Sequence, residues 1–198
     1  MIDFATLDWD KQGGLLPAIV QDADTRRVLM LGYMDRAALK ATLETQLVTF
    51  FSRSRQRLWA KGETSGHVLS LVSMEADCDR DTLLVLARPA GPTCHLGTQS
   101  CFPAAPADIL SELDARIAER VRERPHGSYT TKLLDAGIRR IAQKVGEEGV
   151  ETALAAVAQD DAALLGEVAD LLYHLFVLLR AHGLSLQDVE QVLKQRGP

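Results

Sequence analysis

The segment DCDRDTLLVLARPAGPTCHLGTQSC, residues 77–101, carries two sets of potential metal ligands on either side of an apolar strand. Three alternating aspartates open the segment, and all three cysteines of the chain lie within it. Carboxylates favour hard ions such as magnesium, whereas thiolates favour zinc. The segment therefore predicts a catalytic region that uses two kinds of metal.

The chain before this segment alternates short apolar runs with turn signals. Residues 15–20 and 27–33 flank a turn at 22–24 and predict a β-hairpin. A helix at 35–45 can be capped by Asp35. Further strands are predicted at residues 47–52, 58–60, 68–76 and 82–87. This order predicts an α+β domain with a mixed or antiparallel sheet.

The composition changes at residues 102–107, FPAAPA, which have the prolines and small side chains of a linker. Beyond them the apolar residues recur with helical periodicity alone. We predict two domains, residues 1–104 and 105–198, of which the second is an all-α helical bundle. Its helices are predicted at residues 108–124, 129–158, 160–183 and 185–194, the last with a capping box formed by Ser185 and Asp188.

Composition excludes several classes of protein. With 46% hydrophobic and 25% charged residues the chain is typical of a globular protein, and a net charge of −5 argues against nucleic-acid binding. The N-terminus lacks an apolar signal-peptide core, and the most apolar run, residues 171–179, is too short to span a bilayer. Three clustered cysteines suit a metal site in a reducing compartment. We therefore predict a cytoplasmic protein without a membrane or nucleic-acid partner.

Two ligand sets can be separated by strand geometry. If residues 77–81 are extended, Asp77, Asp79 and Asp81 face one way and share magnesium, while Cys78 faces the other way. Three thiolates, from Cys78, Cys94 and Cys101, would leave one tetrahedral position of a zinc ion open for water. His95, beside a ligand, could move a proton. Each pattern alone also fits a solvated turn or small core cysteines; together they favour metal binding.

A polar glycine loop, KGETSG at residues 61–66, follows a basic turn. Its alternatives are a plain linker and a phosphate site built from backbone N–H groups. In the second case Arg53, Arg55 and Lys61 supply positive charge. The side chains of Glu63, Thr64 and Ser65 are then further candidate substrate contacts.

The first half resembles the phosphoribosyl-AMP cyclohydrolases of histidine biosynthesis. The stretches that carry the resemblance are residues 17–22, 28–34, 52–55, 58–67, 77–81 and 91–102. The resemblance implies magnesium on the three aspartates, and zinc on Cys78 of one chain with Cys94 and Cys101 of a partner, hence a homodimer. It implies attack of zinc-activated water on C6 of the adenine ring and opening of the N1–C6 bond. One departure is Leu96, where the family pattern Cys-His-x-Gly has threonine.

Five acids of the second half are predicted to meet across two antiparallel helices. They are Glu147, Glu148 and Glu151 on one helix and Glu167 and Asp170 on the next. Clustered carboxylates repel one another unless a cation neutralises them, and magnesium that bridges a polyphosphate fits this requirement. The alternative is a solvated charged face, but the apolar neighbours of these acids favour buried helices.

The second half resembles the phosphoribosyl-ATP pyrophosphatases, which are all-α nucleotide pyrophosphohydrolases, over residues 129–134, 140–151 and 167–174. The resemblance implies magnesium-dependent hydrolysis between the α and β phosphates. One acid activates water, for which we select Glu148, and Arg140 and Lys144 meet phosphate. We interpret His174 as a core histidine and the apolar run 171–179 as the core of a helical dimer.

The two resemblances are linked because the product of a phosphoribosyl-ATP pyrophosphatase, phosphoribosyl-AMP, is the substrate of the cyclohydrolase. The sequence therefore predicts a bifunctional enzyme of histidine biosynthesis. A second hypothesis is a zinc-dependent nucleotide deaminase fused to a broad nucleoside-triphosphate pyrophosphatase, which would release ammonia. A third is a non-enzymatic protein with a structural metal clasp and an interaction bundle.

Overall fold

The computed structural model describes residues 6–197, which separate into one unit that ends at Asp108 and a second that begins at Ile109. Within those residues the first unit contains all the strands, and the second contains α-helices alone. The predicted order of a mixed sheet followed by a helical region is therefore confirmed.

The elements of the first unit are β1 (Leu16–Asp22), β2 (Val28–Met34), α1 (Arg36–Thr45), β3 (Thr49–Ser52), β4 (Arg57–Ala60), β5 (Leu69–Ala76) and β6 (Leu83–Pro89). The elements of the second unit are α2 (Ile109–Glu123), α3 (Tyr129–Ala136), α4 (Ile138–Ala158), α5 (Asp161–Ala181) and α6 (Leu186–Arg196).

The main sheet of the first unit has the strand order β2-β1-β6-β5. The predicted β1–β2 hairpin is confirmed as an antiparallel pair, and β5 pairs antiparallel with β6. The central strands β1 and β6 run parallel, and alternate side chains of both are buried. The β5–β6 connection, which carries the aspartates, therefore lies at one end of a well-packed strand pair.

Strands β3 and β4 form a second, two-stranded sheet. Phe50 of β3 is buried and packs on Trp59 of β4, with ring centroids 5.8 Å apart. Gly32 of β2 lies directly against Phe50, and a Cβ at that position would come within 2.3 Å of the ring. Only glycine therefore lets β2 and β3 approach closely enough to seat Trp59, which lines the cavity described below.

The prediction of a single helix over residues 129–158 is wrong, because the helix is interrupted at Gly137. This glycine has φ 85° and ψ 171°, and its N–H closes the last turn of α3 on the carbonyl of Leu134. Glycine loses the most conformational entropy in a helix and adopts positive φ without strain, so the helix ends there and restarts as α4. Further along, Asp160 caps α5, and the predicted capping box of Ser185 and Asp188 is confirmed.

Helix α5 packs against the helical unit with some of its side chains and leaves other apolar side chains exposed. His174, Phe176 and Val177 are buried, and near its end Arg180 forms a paired ion bridge with buried Asp114 of α2. The helix is 21 residues long, so the length argument made from residues 171–179 does not hold. By length and composition alone this helix could cross a membrane. Most of its apolar segment is not buried within one chain.

Candidate active sites

The three aspartates lie in a tight turn between β5 and β6, and the prediction of an extended segment is wrong. Arg80 adopts a left-handed conformation, with φ 62°. One carboxylate oxygen of Asp77 accepts hydrogen bonds from the N–H groups of Asp81 and Thr82, at 3.0 and 3.1 Å, and thereby holds the turn. The turn nevertheless brings oxygens of all three aspartates within 4.8 Å of one another.

A cationic side chain already occupies the edge of this cluster. The ammonium of Lys11 lies 2.5 Å from Asp79 Oδ2 and 2.6 Å from Asp81 Oδ2. Hydrogen bonding to Lys11 lowers the pKa of Asp79, and the two carboxylates raise the pKa of Lys11 above its usual range. The cluster therefore fits a hard cation, since two of its carboxylates already attract one positive charge.

Replacement of Lys11 by methionine should strengthen magnesium binding at the aspartate turn. The ammonium competes with the metal for the same two carboxylates, and an exposed ion pair of this kind changes an equilibrium by about twofold to fivefold. We expect the Mg²⁺ concentration required to half-saturate this turn to fall by that factor. Lys40→Met, in the exposed Lys40–Glu44 pair of α1, is the matched control. An unchanged or higher Mg²⁺ requirement in Lys11→Met would contradict competition.

The phosphate-loop candidates and two cysteines line one cavity of about 650 Å³ in the first unit. The predicted residues that it brings together are Arg55, Lys61, Glu63, Thr64, Ser65, Cys94, His95 and Cys101. Arg53 does not line it. Its guanidinium lies 3.8 Å from the centre of the Tyr33 ring, in an adjoining depression of about 280 Å³.

The glycine loop is held in shape by its own backbone and by an ion pair. Gly62 has φ 87°, and a Cβ there would come within 2.4 Å of the backbone of His67, so only glycine fits. The carboxylate of Glu63 pairs with Arg57 at 2.6 Å, which lowers the pKa of Glu63. Glu63 is thus fixed as an anion at the cavity wall, while Thr64 and Ser65 are exposed.

The pKa values of the two cysteines in the cavity are shifted in opposite directions. Hydrogen bonds from the backbone N–H of Leu96 and from the side chain of Thr98 lower the pKa of the Cys94 thiol. Burial, followed by the charge of Cys94, raises the pKa of the Cys101 thiol. One thiolate is therefore stabilised before any metal binds, which fits a soft cation such as zinc. The Leu96 side chain is exposed, so this departure from the family pattern leaves the ligand set intact.

Charged and polar groups surround these cysteines. Lys61 is buried, which lowers the pKa of its ammonium, although the cysteines act in the opposite direction. His95 Nδ1 lies 3.9 Å from Cys94 Sγ. Cys78 is exposed, and within residues 6–197 it forms no three-ligand group with Cys94 and Cys101. A single chain therefore assembles two of the three predicted thiolates at the cavity.

Three of the five acids of the helical unit form a cluster across α4 and α5. Oxygens of Glu148, Glu151 and Glu167 lie within 4.8 Å of one another. Glu147 lies outside this group, because its carboxylate contacts Arg140, Gln143 and Lys144 at 3.4, 2.7 and 2.9 Å. Asp170 is exposed and also lies outside it. The five predicted ligands are therefore only partly brought together in one chain.

Charge within this cluster is unevenly balanced. Glu148 is buried and accepts a hydrogen bond from the ammonium of Lys144 at 2.6 Å. Within residues 6–197 no ammonium is seen to donate a hydrogen bond to Glu151. Desolvation, followed by the charges of Glu148 and Glu167, raises its pKa, although the charge of Lys144 acts in the opposite direction. The cluster therefore lacks positive charge at Glu151, which a divalent cation would supply.

Each of the two units matches the model of a known protein family. Residues 30–103 match the family model of phosphoribosyl-AMP cyclohydrolase, and residues 110–197 match that of phosphoribosyl-ATP pyrophosphohydrolase. The histidine biosynthesis bifunctional protein HisIE of Xanthomonas axonopodis pv. citri is 71% identical over 97% of this chain and 93% of its own. The chain belongs to the HisIE family of bifunctional histidine-biosynthesis enzymes. The proteins of the same name from Xylella fastidiosa (strain Temecula1) and Salmonella typhimurium are 70% and 58% identical, over 96% of this chain in each case and 92% and 95% of their own.

Several residues of the two sites have no distinctive sequence signal. Lys11 is 68 positions from Asp79, and Arg57 is one of three arginines at residues 53–57. Thr93 lines the cavity, and its buried hydroxyl has no hydrogen-bond partner within the described residues. Its position directly before Cys94 is the only hint that the sequence supplies.

Replacement of Glu151 by glutamine should stabilise the metal-free protein and weaken its affinity for magnesium. The raised pKa of Glu151 means that the folded state disfavours the ionised carboxylate. The free energy of unfolding therefore decreases as the pH rises from the pKa of Glu151 in the unfolded chain to its higher pKa in the folded protein. We expect a higher melting temperature at neutral pH in the presence of a chelator, and a smaller increase on addition of Mg²⁺. Glu119→Gln, an exposed acid of α2, is the control. A lower melting temperature in the chelated Glu151→Gln protein would contradict the predicted repulsion.

Proposed function

We propose that the two units act in succession on one nucleotide. The helical unit hydrolyses phosphoribosyl-ATP to phosphoribosyl-AMP and pyrophosphate, and the first unit then opens the adenine ring of phosphoribosyl-AMP at the N1–C6 bond. The observation that carries this proposal is the cavity that joins the glycine loop at 61–66 to Cys94, His95 and Cys101. These are the reactions in the second and third steps of histidine biosynthesis, in the reverse of domain order.

In the helical unit, Glu148, Glu151 and Glu167 would hold magnesium. When bound, magnesium neutralises the polyphosphate and stabilises the charge of the leaving pyrophosphate. Glu148, the buried member of the cluster, accepts the proton of the attacking water. Lys144 and Arg140 now contact Glu147 and Glu148, and they bind phosphate oxygens when the substrate enters. Asp170 and Glu147 complete the surroundings of the metal without lying in the central group.

In the first unit, the phosphates lie against the loop at 62–66, where Thr64, Ser65 and backbone N–H groups donate hydrogen bonds. Arg55 and Lys61 neutralise their charge, and Arg53 binds at the adjoining depression. His95, at the cavity wall beside Cys94, transfers the proton between the attacking water and the ring nitrogen. Asp77, Asp79 and Asp81 would hold magnesium, which supplies positive charge near the substrate.

Cys94 and Cys101 would hold zinc together with Cys78 of the partner subunit. When bound, zinc lowers the pKa of water and makes it nucleophilic at neutral pH. The exposed position of Cys78, away from the other two cysteines, supports a shared site and a homodimer. The uncovered apolar side chains of α4 and α5, among them Val150, Leu154, Val157 and Leu165, support a second dimer contact in the helical unit. A reducing compartment, the cytoplasm, suits three unpaired thiols.

Subunit complementation tests the shared site. Cys78→Ala and Cys94→Ala proteins should each be inactive in ring opening, yet a mixture that has exchanged subunits should recover roughly a quarter of wild-type activity. Half of its dimers are then mixed, and each mixed dimer holds one intact site of two. Mixing Cys94→Ala with Cys101→Ala is the control. Each of these variants lacks one of the two ligands that a single chain supplies, so no mixed dimer contains an intact site. Failure of the first mixture to recover, despite proven subunit exchange, would contradict the shared site.

The complete reaction distinguishes the three functional hypotheses. The purified protein is supplied with phosphoribosyl-ATP, zinc and magnesium, and pyrophosphate, ammonia and the ring-opened product are followed. We expect pyrophosphate first, then the formamidine-carboxamide ribotide, and no ammonia. Release of ammonia would favour the deaminase hypothesis, and the absence of any turnover would favour the non-enzymatic one.

A further inference from the structure

Two side chains reach the same oxygen of Glu148. Lys144 Nζ lies 2.6 Å from Glu148 Oε1, and His174 Nδ1 lies 3.6 Å from it. The carboxylate of Glu148 also belongs to the group that it forms with Glu151 and Glu167. Lys144 and His174 therefore both contact an acid of the candidate metal site.

The protonation of His174 follows from its backbone contact. His174 Nδ1 lies 2.8 Å from the carbonyl oxygen of Asp170, which can only accept a hydrogen bond. Nδ1 therefore carries the proton, and the same N–H group is directed between Asp170 and the carboxylate of Glu148. In the neutral ring Nε2 is then an acceptor, and the hydroxyl of Tyr129 lies 3.2 Å from it.

Aromatic neighbours fix the plane of the His174 ring. Tyr129 and Tyr173 both meet it edge-on, with ring centroids 6.0 and 5.2 Å away. The imidazole is 4% exposed, so its surroundings leave it little freedom to rotate. Both ring nitrogens have polar neighbours: the Asp170 carbonyl and, at 3.6 Å, the Glu148 carboxylate near Nδ1, and the Tyr129 hydroxyl near Nε2.

We propose that His174, oriented by Tyr129, is a positioning residue that fixes the rotamer of Glu148 and so holds its carboxylate at the magnesium site. The proposal rests on the proposed role of Glu148, Glu151 and Glu167 as magnesium ligands. It assigns His174 a role toward the pyrophosphatase reaction, although the sequence alone suggested a core histidine. It also assigns a role to Tyr129, which is half-exposed.

The chain offers a matched pair of tyrosines for the test. Tyr129 and Tyr173 stack on each other, with centroids 6.2 Å apart, and both touch His174. The hydroxyl of Tyr129 faces His174, whereas that of Tyr173 bonds to Thr130 at 2.8 Å. Tyr129→Phe and Tyr173→Phe each remove one hydroxyl from the same aromatic stack, but only the first removes a contact with His174.

The experiment measures Mn²⁺ binding by electron paramagnetic resonance in the full-length chain, with Asp79→Asn and Asp81→Asn present to disable the other cluster. We expect Tyr129→Phe to weaken binding at least about threefold, His174→Leu to weaken it about tenfold to a hundredfold, and Tyr173→Phe to change it less than about twofold. His174→Asn, which can keep an N–H group near the Nδ1 position, should recover part of the loss. The Mg²⁺ requirement for pyrophosphate release should follow the same order.

Equal Mn²⁺ affinities in Tyr129→Phe and Tyr173→Phe would overturn the positioning role while leaving the metal site intact. Absence of Mn²⁺ binding in the background protein with an otherwise unaltered helical unit would instead overturn the metal site itself, and the positioning role with it. If His174→Leu does not fold, the comparison of the two tyrosine variants decides alone, since neither removes buried apolar surface.

Discussion

Cys94→Ala is expected to abolish ring opening of phosphoribosyl-AMP while leaving pyrophosphate release within about twofold of wild type. Cys94 is the cysteine whose thiolate the loop stabilises, through the backbone N–H of Leu96 and the side chain of Thr98. A catalytic metal contributes several kcal/mol of transition-state stabilisation, so its loss costs on the order of a thousandfold or more in rate. The helical unit contains none of these ligands, which is why the first reaction should continue.

The measurement combines zinc content with the rates of both reactions. Phosphoribosyl-AMP is supplied directly for the second reaction, so that a block in the first cannot be mistaken for a block in the second. Leu96→Ala is the matched control, because it keeps the backbone N–H group that faces Cys94 and changes only an exposed side chain. Ring opening at the wild-type rate in zinc-depleted Cys94→Ala would exclude the proposed role of the thiolate.

Glu148→Gln is expected to have the opposite effect, with loss of pyrophosphate release and retention of ring opening. Glutamine keeps the shape of the side chain but removes the charge that Lys144 contacts and the basicity that water activation requires. Loss of a general base reduces a rate by about 10²-fold to 10⁴-fold, and loss of a metal ligand adds to this. The first unit has its own cavity and ligands, so the second reaction should proceed when phosphoribosyl-AMP is supplied.

The neighbouring glutamate provides the control for this variant. Glu147 also contacts Lys144, at 2.9 Å, yet it lies outside the three-acid group. Glu147→Gln should therefore reduce pyrophosphate release much less than Glu148→Gln does. Equal loss in the two variants would indicate that Lys144 rather than the cluster is decisive, and loss of ring opening in either would contradict independent sites.

The structure brings several of the predicted acids together, but with a geometry that differs from the predicted one. Alternation of Asp77, Asp79 and Asp81 suggested a shared cation through strand geometry, but the cluster forms in a turn that Asp77 itself caps. The outcome is similar because a tight turn also brings side chains two positions apart together. Likewise the helical spacing of the acids was correct, yet Glu147 turns to Arg140 and Lys144 instead of to Glu151.

Local chemistry accounts for what the sequence determined by itself: the order of strands and helices and the caps at Asp35 and Ser185. These depend on contacts within a few residues, which periodicity and capping preferences report directly. Only the tertiary structure decided that Lys11 meets Asp79 and that His174 meets Glu148. Such contacts depend on how elements distant in the chain pack, and a single lysine or histidine has no pattern that encodes its partner.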